Sequence, residues 1–413
     1  MNTSGVLSLV AALALMCACG AADTEHHSLM PVVATAAADA PVTLQLSEND
    51  MSQGSMGPRQ PASVGPANPN ATADAKAVLA GFTALRHNGG QQVLSGQNIG
   101  HIEYKLAEGF EKFYRALETS TGSAPSILAL DYGYEPPTTV NMRRANQYLL
   151  DHCQRGGIIS ISLHPKNPFT GNNVDDRQTG GKPFSDILTK GSETHQRWMA
   201  TLAAVADGLE ELRDTNVTVL WRPLHEMNGK WFWWTVNADG DFVTPEEFTA
   251  LWREMFVYFT ETRDLDNLLW VYAPNVQVDP DLMPSDFYYP GDDYVDIVGL
   301  DYYRNSLDEL NAGGSYDRLA AIDKPMGLAE VGPANWAKAH PNGRYDTTQV
   351  IRAIETDYPK ISFFTFWHGW QTGFRRARSA IIENQNADEL MSHENVATLG
   401  DMPALFRPHS CQQ

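Results

Sequence analysis

Apolar residues along the chain fall into two alternating kinds of stretch. Short runs of β-branched, aromatic and aliphatic residues, bounded by Gly, Pro, Asn or Asp, read as buried strands. There are eight: Val93–Gln97, Ser126–Tyr134, Ile158–His164, Val217–Leu224, Leu268–Ala273, Val295–Asp301, Met326–Glu330 and Ile361–Trp367. Between several of them apolar residues recur every three or four positions, which puts them on one face of a helix. Ile102–Thr119 aligns Leu106, Phe110, Phe113 and Leu117 in this way. Glu193–Arg213 aligns Trp198, Leu202, Val205, Leu209 and Leu212, and Pro245–Thr262 aligns Phe248, Trp252, Met255 and Phe259. A further helical pattern, Thr347–Tyr358, follows the seventh strand. Eight strand–helix units predict an α/β protein with a single (β/α)8 TIM barrel over residues 76–413. An open doubly wound sheet also alternates strand and helix. The count of eight, with no glycine-rich phosphate loop after the first strand, favours the barrel.

The N-terminal part is different in texture. Val6 to Cys19 is nearly all apolar but too short to cross a bilayer as a helix, and small residues follow it. Residues 1–21 are therefore expected to be an export signal peptide, although no Lys or Arg precedes the apolar run. The stretch Met16-Cys17-Ala18-Cys19-Gly20 resembles a bacterial lipoprotein cleavage site with Cys19 as the lipidated residue; ordinary secretion is the alternative. Residues 22–75, rich in Ala, Pro, Ser, Gly and Asn and without apolar period, read as a disordered, flexible linker. The expected place of the protein is thus outside the cell or tethered to its envelope. Cys153 and Cys411 are too few and too far apart for a metal site; as a pair or as free thiols both fit.

Composition narrows the partners. A formal net charge of −20 repels phosphate backbones, which argues against nucleic acid and leaves neutral ligands open. Ten Trp, 15 Tyr and 16 Phe supply either core packing or stacking platforms for flat neutral rings, and composition does not separate the two.

In a barrel of this kind, chemistry gathers at the C-terminal ends of the strands. There the sequence places Asp131, His164, His225 with Glu226, Asn275, Asp301 with Tyr303, Glu330, and Trp367 with His368. One polar residue ending an apolar strand is ordinarily explained by the approach of solvent; this many on one rim is less easily explained so. Glu226 and Glu330 end strands four and seven, which face each other across a barrel mouth. Glycoside hydrolysis needs such a pair, one carboxyl protonated to assist the leaving oxygen and one ionised to attack or to activate water. Other chemistries fit less well. His225-Glu226-Met-Asn-Gly229 begins like a zinc-protease motif but has Gly where the second His belongs. No serine-hydrolase elbow, P-loop or paired CxxC motif is present. The four consecutive aromatics Trp231, Phe232, Trp233 and Trp234 offer at least one sugar-stacking surface beside the proposed acid.

The stretch Trp221-Arg-Pro-Leu-His-Glu-Met-Asn-Gly-Lys-Trp-Phe-Trp-Trp234 strongly resembles the acid/base motif of glycoside hydrolase family 26, the β-mannanases. Val93-Leu-Ser-Gly-Gln97, Ser162-Leu-His-Pro165 and Gly327-Leu-Ala-Glu330 resemble the family's first, third and nucleophile strands, so the likeness spans roughly residues 76–405. The resemblance implies retaining hydrolysis of β-1,4-mannan, with Glu226 as acid/base, Glu330 as nucleophile and no cofactor or metal. It implies that His225 hydrogen-bonds the nucleophile or the sugar beside it, that His164 lines the −1 subsite and that Trp231 stacks at +1. Asp301 and Tyr303 would contact the −1 sugar or position Glu330, Trp367 would floor the −1 subsite, and Arg222 would support a carboxylate from behind. Asp131 is a candidate for a −2 subsite. His368 stands where several relatives are expected to carry Arg, which leaves the distal minus subsites open. The expected partner is a polysaccharide such as mannan, galactomannan or glucomannan, cut by a monomeric enzyme in endo or exo mode. The same machinery on xylan or mixed-linkage glucan is one alternative, and a surface polysaccharide-binding protein that does not cut is another.

Overall fold

The computed structural model describes residues 65–89, 91–102, 105–133, 139–334, 343–372, 375–403 and 406. The expected signal at 1–21, most of the expected linker, and Cys17, Cys19 and Cys411 lie outside the described residues. Cys153 is disulfide-bonded.

The eight apolar runs form eight parallel strands: β1 (Val93–His101), β2 (Ile127–Asp131), β3 (Ile158–Ser162), β4 (Val219–Arg222), β5 (Leu268–Tyr272), β6 (Ile297–Tyr303), β7 (Met326–Gly332) and β8 (Ile361–Phe366). Each pairs with the next and β1 pairs with β8, so the sheet closes on itself into the expected barrel. A short hairpin of β9 (Trp370–Thr372) and β10 (Arg375–Ala377) follows, and β11 (Val396–Ala397) runs parallel to the first two residues of β1.

The helices, in chain order, are α1 (Ala73–Arg86), α2 (Leu106–Gly109), α3 (Ala116–Thr121), α4 (Thr139–Gln154), α5 (Glu193–Asp214), α6 (Pro245–Val257), α7 (Ser315–Ala320), α8 (Thr348–Thr356) and α9 (Ala387–Met391). The long α5 and α6 bury the aromatic and aliphatic stripes read from the sequence. α6 starts on a capping box, in which the Thr244 hydroxyl accepts from the Glu247 N–H and the Glu247 carboxylate accepts from the Thr244 N–H. The pattern expected as one helix from Ile102 instead starts at Leu106. It passes through a wider π-type turn at Phe110–Arg115, with its four apolar residues buried all the same.

Two differences from the sequence reading bear on the molecule's limits. The folded part begins before residue 76. The Ala67 N–H donates to Asp296 Oδ1 (2.6 Å), the Asn68 amide to Asp266 Oδ1 (2.8 Å), and Thr72 caps α1. The outer ring is also uneven, since only a short turn at Asp292–Tyr294 stands between β5 and β6 and α7 has six residues.

Candidate active site

β4 stops at Arg222 because Pro223 has no N–H to extend the ladder. The chain then turns sharply, with Leu224 (φ 46°) and Glu226 (φ 52°) in the left-handed region that non-glycine residues seldom occupy. Two backbone bonds hold this turn: Glu226 N–H to Ala273 O (2.7 Å), and Gly229 N–H to Glu226 O (3.0 Å). A disfavoured conformation fixed from both sides is the usual mark of a functional residue. Glu330 arrives differently, within β7, in register with Asp301 of β6 just past a bulge at Leu300/Asp301. One carboxylate oxygen each of Glu226, Asp301 and Glu330 lies within 4.8 Å of the other two.

The two glutamates meet unlike surroundings. Glu226, only 6% exposed, accepts from neutral donors: the Trp231 indole N–H to Oε2 (2.5 Å) and the Asn275 amide to Oε1 (2.9 Å). Burial first, and then the negative charge of Glu330, push its carboxyl up to about 7. Glu330 is paired with a cation. Arg222 donates one guanidinium nitrogen to Glu330 Oε1 and another to Asp301 Oδ2 (2.9 Å), while the Tyr303 hydroxyl donates to Glu330 Oε2 (2.5 Å). Burial and the neighbouring carboxylate also push the Tyr303 phenol well up, so it stays a donor. The site thus contains one carboxyl poised to hold a proton and one whose charge is matched, the division of labour an acid and a nucleophile require.

Three histidines and an indole line the floor beside Glu330. His225 Nε2 lies 4.0 Å from Glu330 Oε1 and 3.1 Å from His164 Nε2. His164 Nδ1 lies 2.8 Å from Asp131 Oδ2, and His101 Nδ1 lies 3.1 Å from Asp131 Oδ1. The Trp367 ring meets His101 and His164 edge-on, and the Arg222 guanidinium sits 5.9 Å from its centre. Trp231 and Phe232 stay partly exposed, whereas Trp233 and Trp234 are core residues packed edge to face. The aromatic run therefore splits, two rings to the cleft and two to the interior.

The structure brings Glu226, Glu330, His164, His225, Trp231, Tyr303, Arg222 and Trp367 together, and corrects two roles. Asp131 cannot contact sugar at a −2 subsite: it is fully buried, and its oxygens take the Gly133 N–H, the Ser162 hydroxyl and the two histidines. Asp301 is fully buried as well, so of its two expected roles only support of Glu330 through Arg222 remains. His368 is pinned by Nδ1 on Asn98 Oδ1 (2.8 Å), held neutral by burial, and packs edge-on against His101. Sequence reasoning missed His101, because the run Ser95-Gly-Gln-Asn98 carries no apolar alternation and β1 extends four residues past the expected Gln97. Asn275 stood on the rim by position, but nothing in the sequence marked it as a partner of the acid. Asn228 fixes it, accepting the Asn275 N–H (2.8 Å) and donating to the Asn275 carbonyl (2.8 Å).

Residues 67–394 match the model of glycosyl hydrolase family 26. A mannan endo-1,4-β-mannosidase of Bacillus subtilis is 35% identical over 331 residues, covering 78% of this chain and 87% of that protein. Mannan endo-1,4-β-mannosidase A and B of Caldalkalibacillus mannanilyticus is 36% identical over 73% of this chain, and the match spans 57% of that longer protein. Among solved structures, that of Bacillus subtilis mannanase man26 superposes with a TM-score of 0.68 at 30% identity, covering 81% of this chain and 95% of that one.

Proposed function

The chain belongs to glycosyl hydrolase family 26 and is a glycoside hydrolase, and from that premise we propose that it cleaves β-1,4-mannosidic bonds within mannans by a retaining double displacement. The observation that carries the mechanism is the spacing of the carboxylates. Retaining enzymes hold their two carboxyls about 5–5.5 Å apart, and inverting enzymes leave about 6.5–9.5 Å for a water between them. Glu226 and Glu330 bring one oxygen each within 4.8 Å, which fits the closer spacing of the first class.

In the first step Glu330 attacks the anomeric carbon while Glu226, neutral up to a pH of about 7, donates its proton to the departing glycosidic oxygen. Arg222 and Tyr303 fix the attacking carboxylate from behind. Once Glu330 is esterified its negative charge is gone, and with it one cause of Glu226's raised pKa. Glu226, having given up its proton, then stays ionised long enough to take one from water, which releases the sugar and restores both groups. The substrate and the internal mode of cutting are supported by the activity of the two relatives above. Action of the same machinery on xylan or mixed-linkage glucan remains a competing outcome of the test.

The test is reducing-sugar release from glucomannan, galactomannan, xylan and mixed-linkage glucan by the wild type, Glu226→Ala and Glu330→Ala. Each variant is expected to lose about 10²–10⁴-fold or more on mannans while keeping its fold. On an aryl β-mannobioside, whose leaving group departs without acid assistance, added azide should raise turnover of both variants, giving a β-glycosyl azide with Glu226→Ala and the α-anomer with Glu330→Ala. Equal activity of either variant and wild type sinks the assignment. We further propose export of the protein as a monomer, directed by the apolar N-terminal run Val6–Cys19, either freely secreted or tethered by a lipid on Cys19. Metabolic labelling with a palmitate analogue, lost on Cys19→Ala, distinguishes a tethered from a freely secreted enzyme.

A further inference from the structure

A fully buried carboxylate that touches no substrate sits at the back of the site. Asp131 Oδ1 accepts the Gly133 N–H (2.7 Å) and Oδ2 the Ser162 hydroxyl (2.5 Å), and each oxygen also faces one imidazole Nδ1. Two donors converge on each of its oxygens, so the group is ionised and only accepts. Both facing nitrogens must then carry hydrogens: His101 and His164 are Nδ1–H. His225 Nδ1 is buried with no hydrogen-bond partner, and an orphaned acceptor is tolerated in an interior more readily than an orphaned N–H, so the hydrogen of His225 is on Nε2. His164 Nε2, 3.1 Å away, is then the acceptor, and the hydrogen of His164 is on Nδ1, against Asp131.

Resting on the reading of Glu330 as nucleophile, we propose that Asp131 is a positioning residue for the reaction, which acts through His164 to keep the proton of His225 on Nε2, the ring nitrogen nearest both His164 and Glu330. That nitrogen lies 3.1 Å from His164 Nε2 and 4.0 Å from Glu330 Oε1, so its one hydrogen, given to His164, can be shared with the nucleophile or with a hydroxyl of the sugar beside it. Without the relay His225 would present a lone pair there, which repels the carboxylate and could only accept from the hydroxyl.

Asp131→Asn tests this sharply, because the surroundings dictate how the amide must lie. The Gly133 N–H can only donate, so the amide oxygen must stay at the Oδ1 position. The Ser162 hydroxyl can turn to accept, so the NH2 falls at Oδ2, against His164. His164 must then become Nε2–H, and His225 must move its proton to Nδ1. His101, still facing oxygen, keeps its tautomer and serves as an internal control.

The experiment is ring-nitrogen NMR on full-length protein labelled with ¹⁵N-histidine, with kcat and KM measured on mannohexaose. Expected for wild type are Nδ1–H on His101 and His164 and Nε2–H on His225. In Asp131→Asn the latter two should swap while His101 does not, and kcat should fall roughly 10- to 100-fold, as for loss of a group that orients a ligating or catalytic histidine, with KM changed far less. An Nδ1–H or doubly protonated His225 in the wild type overturns the proposal, and this holds even if the variant does not fold. A kcat loss without the tautomer swap, or a swap without a kcat loss, overturns it too. Wild-type tautomers as expected in a protein that cuts no mannan would instead defeat the functional reading alone.

Discussion

The proton on Glu226 is set by opposed effects that single substitutions separate. Burial and the charge of Glu330 raise its pKa to about 7; the Trp231 and Asn275 hydrogen bonds, which favour the carboxylate, lower it. The acid must be protonated to work, so kcat/KM is expected to fall as pH rises through about 7. Trp231→Phe keeps a ring in the cleft but removes the N–H. The carboxylate is then less favoured, the pKa rises further, and the alkaline limb moves to higher pH. A limb that stays in place or moves down, in a pH profile of kcat/KM, contradicts the role given to that bond. Arg222 carries a different load. It is the cation shared by Glu330 and Asp301, and Arg222→Met leaves two buried carboxylates without a charge partner. Breaking a buried pair from one side costs about 3–5 kcal/mol, to be read as a lower urea midpoint at neutral pH together with loss of activity. At this scale the sequence was legible for residues defined by chemistry, and less so for those defined by orientation. Asp131 and Asp301 end apolar strands as Glu330 does, and no periodicity tells whether such a carboxylate faces a sugar or a histidine behind it.

Elements place these side chains, and small residues at their junctions decide how well. A Cβ on Gly229 would lie 2.1 Å from the Trp231 ring, so the indole reaches Glu226 only because residue 229 has none. Gly229→Ala is therefore expected to displace Trp231 and reproduce the upward shift of the alkaline limb seen for Trp231→Phe, with a loss of activity on top. A pH profile identical to wild type would show the ring has room to adjust. The strand bodies and the two long helices were readable because strong apolar periods left one solution for each. α4 was not: its buried face, Met142, Ala145, Leu149 and Cys153, is small or sparse among Asn, Arg and Gln, so the stripe is faint. The start of α1 was obscured likewise, since Ala71 to Ala75 has the composition of the linker before it.

For the molecule as a whole, the closed barrel brings the ends of strands four and seven to one mouth, so two glutamates 104 positions apart meet there with one oxygen each within 4.8 Å. The eight-strand count gave that architecture from sequence. What it did not give is where the barrel begins. Residues 67–72 tie the chain to Asp296 and Asp266 at the far side of the sheet, and Asp296 is fully buried with its carboxyl raised to about 6. A protein begun at residue 76 loses the Ala67 bond to Asp296 and the Thr72 cap, worth about 1.5–3 and about 0.5–2 kcal/mol respectively. It is expected to unfold at distinctly lower urea than one begun at residue 65, with the same products; equal stability would mean that segment does not hold the barrel. The central claim is that Glu226 and Glu330 act as acid/base and nucleophile of a retaining double displacement. The most direct test is a ¹H NMR time course of mannohexaose hydrolysis by the wild type, recorded before the anomers equilibrate. The account predicts that the new reducing end appears first as the β-anomer and only later mutarotates; α-anomer appearing first would mean inversion and contradict it.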